Sequence, residues 1–278
     1  MSTDDIIRLA IAEDIGSGDH TSLATIPQEA TGKAQLKAKE NGILAGIFIA
    51  EKVFKTIDPS VLFTPIKTDG EVISAGDIIF SVEGKSISIL TAERLALNFM
   101  QRMSGIATFT RLLVKQIEGT NAKLLDTRKT TPLLRSLEKY AVKVGGGENH
   151  RFGLYDMIMI KDNHIDFAGG IKNAIEATHK YLIAKGLDLK IEIEVRNFNE
   201  LHQVLNHGGV TRIMLDNFTP QNLKKAIELI NGKYETEASG GINFQTIRSY
   251  AETGVDYISV GALTHQIKSL DLSLIAVK

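Results

Sequence analysis

The chain has 278 residues, of which 43% are hydrophobic and 23% are charged, and its formal net charge is -1. This composition is ordinary for a soluble globular protein with one large or two modest domains. A balanced charge gives no bulk electrostatic reason to bind nucleic acid or an anionic membrane, so an anion site must be a local cluster. The absence of cysteine excludes disulfides, thiolate nucleophiles and cysteine-ligated zinc.

The N-terminal segment is acidic and lacks the apolar stretch of a signal peptide. No apolar run approaches the roughly 20 residues that a helix needs to cross a bilayer. We therefore expect a cytoplasmic protein with neither a membrane nor a nucleic acid as partner.

The first hundred residues mix short helices and strands. Residues 6–16 predict a short amphipathic helix, and the chain alternates from residue 34 until a turn at Asn41-Gly42. A second helix is expected from about Ile47. Residues 71–90 predict two or three strands joined by turns.

A long helix is predicted next, with Thr91 as its N-cap residue. In this helix Arg94 faces outward, opposite the apolar stripe that includes Leu95 and Phe99. Ser104-Gly105 is expected to break or bend the helix.

From about residue 120 the pattern changes to short apolar runs separated by helical segments, which is typical of βα units in a parallel sheet. The runs are residues 122–126, 156–161, 190–195, 212–216, 234–239 and 256–261. Six strands in roughly 170 residues are too few for an eight-unit barrel. The sequence therefore predicts an incomplete or tightly trimmed α/β barrel.

Polar residues follow each of these strands, where the active site of a parallel α/β barrel lies. Basic residues come after the early strands, acids after the middle strands and glycines after the last ones. The residues in question are Arg128, Lys129, Lys161, Glu194, Asp216, Ser239, Gly240, Gly241 and Gly261, with His265 one turn further on. This order suggests an anionic substrate, a metal-bridged diphosphate, and a phosphate bound by backbone N–H groups.

Each of these features also has an ordinary structural interpretation. Arg128-Lys129 alone is typical of a solvated pair, and Lys161 could form a structural salt bridge. Glu194 and Asp216, taken singly, are as consistent with solvated carboxylates as with metal ligands. The glycines of residues 239–241 and 145–147 also suit tight turns. His20 and His164 favour a structural or surface role over catalysis.

Taken together, these segments resemble the quinolinate phosphoribosyltransferase family. The stretches that carry the likeness are residues 13–22, 91–108, 126–165, 191–195, 213–220, 237–242 and 258–265. They run in order over nearly the whole chain, and residues 126–165 form a long and specific block. One departure is Leu133, where the family usually has glycine, so the turn there is expected to differ slightly.

The resemblance implies an N-terminal α/β sandwich, residues 1–105, followed by an open, incomplete α/β barrel of about six or seven parallel strands, residues 106–278. The end of the chain could pack back on the first domain. The resemblance also implies a head-to-tail homodimer in which Arg94 reaches the partner's active site. A higher oligomer stays open.

The family likeness further implies which residues bind each substrate. Quinolinate would be held by Arg94, Arg128, His150, Arg151 and Lys161. Phosphoribosyl pyrophosphate would be held by Lys129, Glu194, Asp216, Ser239, Gly240, Gly241, Gly261 and His265, of which Gly241 and His265 are weaker assignments. Glu194 and Asp216 would bind Mg2+, directly or through water, and would act with Lys161 in catalysis.

The implied activity is that of a decarboxylating pentosyltransferase in NAD biosynthesis. It joins the ring nitrogen of quinolinate to the phosphoribosyl group and releases pyrophosphate and CO2, giving nicotinate mononucleotide. Two adjacent carboxylates require concentrated positive charge, for which arginine offers bidentate binding and lysine a point charge.

Two other functions stay open from the residues alone. A Schiff-base aldolase on an α/β barrel would use Lys161 as its nucleophile. A paralogous phosphoribosyltransferase would take a different nitrogenous acid. A non-catalytic carrier module is disfavoured, because the hairpin-like residues 70–89 have no modifiable lysine at a central turn and would leave 200 residues unexplained.

Overall fold

A computed structural model describes residues 2–277, which form two compact units. The first unit comprises residues 2–111, 130–146 and 263–277, and the second comprises residues 112–129 and 147–262. Among the described residues, no helix is both long and apolar enough to cross a lipid bilayer.

The first unit contains a four-stranded antiparallel sheet in the order β12-β1-β5-β3. Its strands are β1 (Thr31–Ala38), β3 (Leu62–Pro65), β5 (Ile78–Lys85) and β12 (Leu272–Val277), and a separate pair is formed by β2 (Gly42–Ile43) and β4 (Val72–Ile73). The strand β12 pairs with β1 from Lys33–Val277 to Ala38–Leu272. The last residues of the chain therefore complete the sheet that begins with residue 31.

Helices cover this sheet and enclose an aromatic core. They are α1 (Thr3–Ile15), α2 (His20–Thr25), α3 (Ile47–Ile57), α5 (Arg135–Gly145) and most of α4 (Ser86–Gln116). Phe54 on α3 packs against Phe63 and Phe80 of the sheet, with ring centroids 6.0 Å away in each case. The predicted helix start at Ile47 is confirmed.

The predictions for the long helix α4 are wrong in two respects. The helix begins at Ser86, so residues 86–90 are helical although Ser and Ile alternate there as in a strand. Thr91 lies inside the helix and its hydroxyl contacts Asp19 Oδ2 at 3.2 Å. The helix also continues through Ser104-Gly105, where the Ser104 hydroxyl bonds the backbone of Ala45.

The second unit contains six parallel strands in the order β6-β11-β10-β9-β8-β7. They are β6 (Lys123–Leu125), β7 (Ile158–Ile160), β8 (Ile191–Val195), β9 (Arg212–Asp216), β10 (Glu235–Ser239) and β11 (Tyr257–Ser259). A parallel bridge from Leu125 to Glu148 adds a seventh position beside β6. The predicted open α/β barrel of six or seven strands is therefore confirmed.

Each strand of this sheet is followed by a helix or a turn that returns the chain to the next strand. The helices are α6 (Asp162–Ala168), α7 (Ile171–Lys185), α8 (Phe198–His207), α9 (Pro220–Ile230), α10 (Ile247–Ala251) and α11 (Ala262–His265). All five residues of β8 are buried, as expected for a parallel strand covered on both faces.

Candidate active site

The carboxyl ends of the parallel strands bring the predicted polar residues to one edge of the sheet. Parallel pairing places Ser239 beside Asp216, and Ile193 beside Ile160, so that Glu194 and Lys161 follow as neighbours. Because this edge carries the active site in parallel α/β barrels, its side chains define the candidate site.

Two arginines form a partly buried guanidinium pair on this side of the unit. Arg128 follows β6, and Arg151 follows the bridge at Glu148. Burial, followed by the charge of Arg128, lowers the pKa of Arg151. The Arg151 Nη1 donates to the carbonyl of Met157 at 3.2 Å, which fixes one end of the guanidinium. The mutual repulsion of the two cations favours a ligand with negative charge.

Lys161 and Glu194 form the second charged pair. The Nζ of Lys161 lies 3.5 Å from Glu194 Oε2, and the lysine side chain is 46% exposed while that of Glu194 is 10% exposed. Burial raises the pKa of Glu194. The charge of Lys161 lowers this pKa, whereas the charges of Asp216 and Asp162 raise it. The lysine therefore presents a half-exposed charge beside a largely buried carboxylate.

Asp216 is oriented by its neighbours at the ends of β9 and β10. Its Oδ1 accepts from the Ser239 hydroxyl and its Oδ2 from the Asn217 amide, both at 2.6 Å. Asn217 adopts a left-handed conformation with φ 57° and donates its backbone N–H to the Ser239 carbonyl. A strained residue held by several bonds is a feature often found at functional sites.

Gly240 and Gly241, which follow β10, differ in why their positions suit glycine. Gly240 has φ 93°, and a Cβ there would overlap the side chain of Asn217. Gly241 has φ 63°, with open space where its Cβ would lie. Gly240 is thus required by packing as well as by conformation, whereas the open surface beside Gly241 leaves its backbone accessible to a ligand.

The remaining predicted site residues lie on exposed or half-exposed surfaces. Lys129 is exposed, and its backbone N–H donates to the Thr127 hydroxyl. Gly261 follows β11 at a turn. Arg94 and His265 are both exposed and belong to the first compact unit, where Arg94 faces outward on α4 as predicted.

Beneath the strand ends lies a buried charged group that the sequence analysis missed. The His150 Nε2 lies 2.9 Å from Glu192 Oε2 and 3.4 Å from Glu237 Oε2, and both carboxylates are fully buried. Arg212 completes the group with its Nη1 3.0 Å from Glu237 Oε2. Together these form the buried ion group: His150, Glu192, Glu237 and Arg212.

Proton binding within the buried ion group is shared among close neighbours. Burial lowers the pKa of His150, but hydrogen bonds to Glu192 and Glu237 and their charges outweigh it and raise that pKa to about 9. Burial and the charge of Glu237 raise the pKa of Glu192 to about 7. The group therefore retains, at neutral pH, a proton that the isolated side chains would release.

A signal for this group was present in the sequence. Side chains alternate between the two faces of a strand, so residues two apart share a face. Glu192 precedes Glu194 by two positions, and Glu237 precedes Ser239 by two. Glu192 and Glu237 therefore share strand faces with the site residues Glu194 and Ser239 but lie deeper in the sheet. Buried carboxylates at these positions need a buried partner such as His150.

Three other polar or glycine-rich features have structural partners. A Cβ on Gly145 would collide with the Ala107 carbonyl and Thr110, and Gly146 ends α5 in a left-handed conformation. Arg196 binds Asp166 and Glu200. His164 Nδ1 accepts the backbone N–H of Lys161, which fixes the start of α6.

The fold and this site together define a class of protein: an open α/β barrel with a group of cations and a carboxylate pair at the carboxyl ends of its strands. Two family models cover most of the chain. The N-terminal domain of quinolinate phosphoribosyl transferase matches residues 19–104, and the C-terminal domain matches residues 106–275. The chain belongs to the quinolinate phosphoribosyl transferase family.

Individual relatives agree with this assignment. The chloroplastic nicotinate-nucleotide pyrophosphorylase [carboxylating] of Arabidopsis thaliana is 46% identical over 97% of this chain and 81% of the relative. A probable nicotinate-nucleotide pyrophosphorylase [carboxylating] of Bacillus subtilis is 44% identical over 94% of this chain and 89% of the relative. The structure of the nicotinate-nucleotide pyrophosphorylase from Francisella tularensis aligns with a TM-score of 0.93 at 41% identity, covering 99% of this chain and 96% of that one.

Proposed function

We propose that this chain is a decarboxylating quinolinate phosphoribosyltransferase. It would transfer the phosphoribosyl group of phosphoribosyl pyrophosphate to the ring nitrogen of quinolinate, releasing pyrophosphate and CO2 and forming nicotinate mononucleotide. The observation that carries the proposal is the Lys161–Glu194 ion pair at the carboxyl ends of β7 and β8, in the same compact unit as the mutually repelling cations Arg128 and Arg151. Family membership and the carboxylating relatives support it.

The dicarboxylate would be bound by the cations at this edge. Arg128 and Arg151 repel one another, and two adjacent carboxylates would relieve that repulsion. A close ion pair at ~4 Å is worth roughly 4 kcal/mol at an effective dielectric constant near 20, before desolvation is subtracted. Nicotinate has only one carboxylate, so it is expected to bind poorly.

Phosphoribosyl pyrophosphate would lie against the carboxylates and glycines at the ends of β8 to β11. Ser239, Gly240 and Gly241 would bind its 5-phosphate through hydroxyl and N–H groups, with Gly261 and His265 nearby, and Lys129 would bind a phosphate oxygen. Glu194 and Asp216 suit Mg2+, because the charge of Asp216 raises the pKa of Glu194 and a cation between the two carboxylates would offset that repulsion. Magnesium, when bound, would neutralise the departing pyrophosphate.

The chemistry would proceed without a covalent bond to the protein. As pyrophosphate leaves, C1 of the ribose gains positive charge, which the carboxylates of Glu194 and Asp216 would stabilise electrostatically. The quinolinate nitrogen would then attack C1 from the opposite face. The resulting cationic ring accepts the electron pair left when the 2-carboxylate departs as CO2, and Lys161 would stabilise that carbon until it is protonated.

A Schiff-base role for Lys161 is the competing proposal. It uses the lysine amine as a nucleophile, whereas Lys161 Nζ lies 3.5 Å from Glu194 Oε2 in an ion pair that a Schiff base would break. Borohydride trapping with a carbonyl substrate separates the two functions, since a covalent adduct on Lys161 would favour the aldolase.

We further propose a homodimer in which the partner contributes Arg94 to each site. The outward position of this arginine on α4 supports an intermolecular role. Mixing Arg94→Ala and Lys161→Ala chains should restore part of the activity, because a hybrid dimer contains one intact site. No recovery after verified subunit exchange would mean that Arg94 acts within its own chain.

A cytoplasmic location is also a proposal, based on the N-terminal composition. Relatives from plants carry chloroplastic or mitochondrial in their names, so location varies among relatives. Cell fractionation with an antibody to this chain would test it.

The direct test of function is CO2 release from quinolinate labelled in its 2-carboxylate. Purified protein with Mg2+, quinolinate and phosphoribosyl pyrophosphate should release label, and omission of any one component should abolish release. Nicotinate in place of quinolinate should give no nucleotide at matched concentration. Release that does not depend on phosphoribosyl pyrophosphate would contradict the proposal.

A further inference from the structure

His150 has protein partners on both of its ring nitrogens. Its Nδ1 accepts the backbone N–H of Arg151 at 2.6 Å, and its Nε2 faces Glu192 and Glu237 at 2.9 and 3.4 Å. The side chain is only 5% exposed. A ring engaged at both nitrogens and covered by protein is poorly placed to bind a carboxylate of the substrate as well.

The position and the charge environment of Arg151 both depend on the buried ion group. The backbone N–H of His150 donates to the buried Asp126 Oδ1 at 2.9 Å, which fixes the chain immediately before Arg151. The charge of Glu192 acts on the Arg151 guanidinium and opposes the repulsion from Arg128. The group thus provides both the position and the counter-charge of this arginine.

We propose that His150, Glu192 and Glu237 are positioning residues for the dicarboxylate-binding Arg151, and that His150 does not itself contact the substrate. This inference rests on the proposed function and revises the quinolinate-binding role that the family likeness implied for His150. The arrangement resembles a metal site, where a partner on the second ring nitrogen fixes the orientation of a ligating histidine. Here the histidine instead orients the peptide of the next residue.

A metal ion is the other ligand to consider, because the His150, Glu192 and Glu237 ligand atoms lie within 4.8 Å of one another. The Arg212 guanidinium already bonds Glu237 Oε2 and supplies positive charge to the same carboxylate. A divalent cation would have to lie beside that guanidinium, and the ring proton on Nε2 would have to leave. Charge balance therefore favours a proton over a metal.

The test is a double-mutant cycle on quinolinate affinity, measured by calorimetry, with Mg2+ and phosphoribosyl pyrophosphate titrated separately. His150→Asn should weaken quinolinate binding about tenfold, as expected for a lost hydrogen bond in a charged network. In an Arg151→Lys background the same substitution should cost less than about twofold, because the residue acts through Arg151. Affinity for phosphoribosyl pyrophosphate should change less than about twofold in every variant. Equal losses of quinolinate affinity in both backgrounds would show that His150 contacts the substrate and would overturn the proposal.

Comparing Glu237→Gln with Glu235→Gln separates two roles of Glu237: positioning Arg151 through His150, and binding Arg212. Both glutamates bond Arg212, and Glu237 also lies 3.4 Å from His150 Nε2. Glu237→Gln should raise KM for quinolinate at nearly unchanged kcat, whereas Glu235→Gln should leave both unchanged. Similar kinetic effects from the two substitutions would overturn the positioning role.

The wild-type protein supplies a measurement that does not depend on whether variants fold. In spectra of 15N-labelled histidine, the chemical shifts of both His150 ring nitrogens should be the same with and without quinolinate. A ring nitrogen that newly donates to bound quinolinate, or stoichiometric bound metal that Glu237→Gln removes, would overturn the proposal. Failure of wild-type protein to bind quinolinate at all would instead contradict the proposed function.

Discussion

Two ion pairs of this protein illustrate how a structural salt bridge differs from one at the proposed active site. Arg102 and Glu138 in the first unit meet at 2.6 Å, and the arginine also bonds Thr131 Oγ1 at 2.7 Å while Glu138 accepts the Thr131 N–H. Glu138 is 1% exposed. The Lys161–Glu194 pair of the second unit is 3.5 Å long and half-exposed on its lysine side.

The difference lies in what each cation can still bind. The hydrogen-bonding groups of the Arg102 pair are directed at the protein, and they hold the loop that precedes α5. The Lys161 ammonium has one long contact and room for a ligand. A charge whose bonds are short and internal stabilises a fold, whereas one left half-satisfied at a strand end is available to a substrate.

The largest expected effect comes from breaking the structural pair. Arg102→Met leaves Glu138 buried without its counter-charge and should destabilise the protein by about 3–5 kcal/mol in urea unfolding. Arg8→Met, which removes an exposed pair with Asp5, should cost less than about 0.5 kcal/mol. If Arg102→Met lowered the free energy of unfolding as little as Arg8→Met does, the Arg102–Glu138 pair would not be a structural salt bridge.

Lys161→Ala should weaken substrate binding and leave stability nearly unchanged, the opposite of what is expected for Arg102→Met. Quinolinate affinity is expected to fall about 100-fold, since the substrate loses a close charge partner. Stability and affinity for phosphoribosyl pyrophosphate should change little, because the lysine has only one long contact. Calorimetry on Lys161→Ala and on the exposed control Lys172→Ala would check this. Unchanged quinolinate affinity would count against the site.

The buried ion group offers an intermediate case that pH can test. The pKa of His150 is raised to about 9 in the folded protein from an ordinary 6.5. Its contribution to stability is therefore complete below pH ~6.5 and is lost as the pH rises through about 9. Between pH 7 and 10 we expect the free energy of unfolding to fall by roughly 2–3 kcal/mol.

The control for this pH dependence is His150→Asn, measured by urea unfolding over the same range. The variant should show a flatter profile than the wild type, because the titrating ring is gone while other groups are unchanged. Parallel profiles would mean that the buried ion group does not titrate there.

The smallest expected effect concerns the loop that the Arg102 pair holds. Leu133 has φ 69°, a left-handed conformation that is unfavourable for leucine. Leu133→Gly should stabilise the protein by about 0.5–1 kcal/mol, the relief of strain being partly offset by the greater freedom of the unfolded chain. Leu134→Gly is the matched control, since its φ of -91° is ordinary, and it should destabilise. Thermal unfolding of both variants measures the difference.

Leu133 stands where the family resemblance implies glycine, and its backbone has a conformation that suits glycine. The surrounding bonds from Thr131 to Glu138 and Arg102 hold the loop in that shape. Local sequence alone would have predicted a different backbone, because leucine avoids positive φ.

The sequence by itself determined the parallel strands and the residues at their carboxyl ends, since hydrophobic period and strand-end chemistry are local properties. Strand β9, for example, spans the predicted residues 212–216. Tertiary structure alone decided that residues 86–90 join a helix, because an alternating Ser-Ile run suits either state until packing selects one. It also decided the partners of His150, whose Glu192 and Glu237 lie 42 and 87 positions away along the chain and meet it only when the sheet forms.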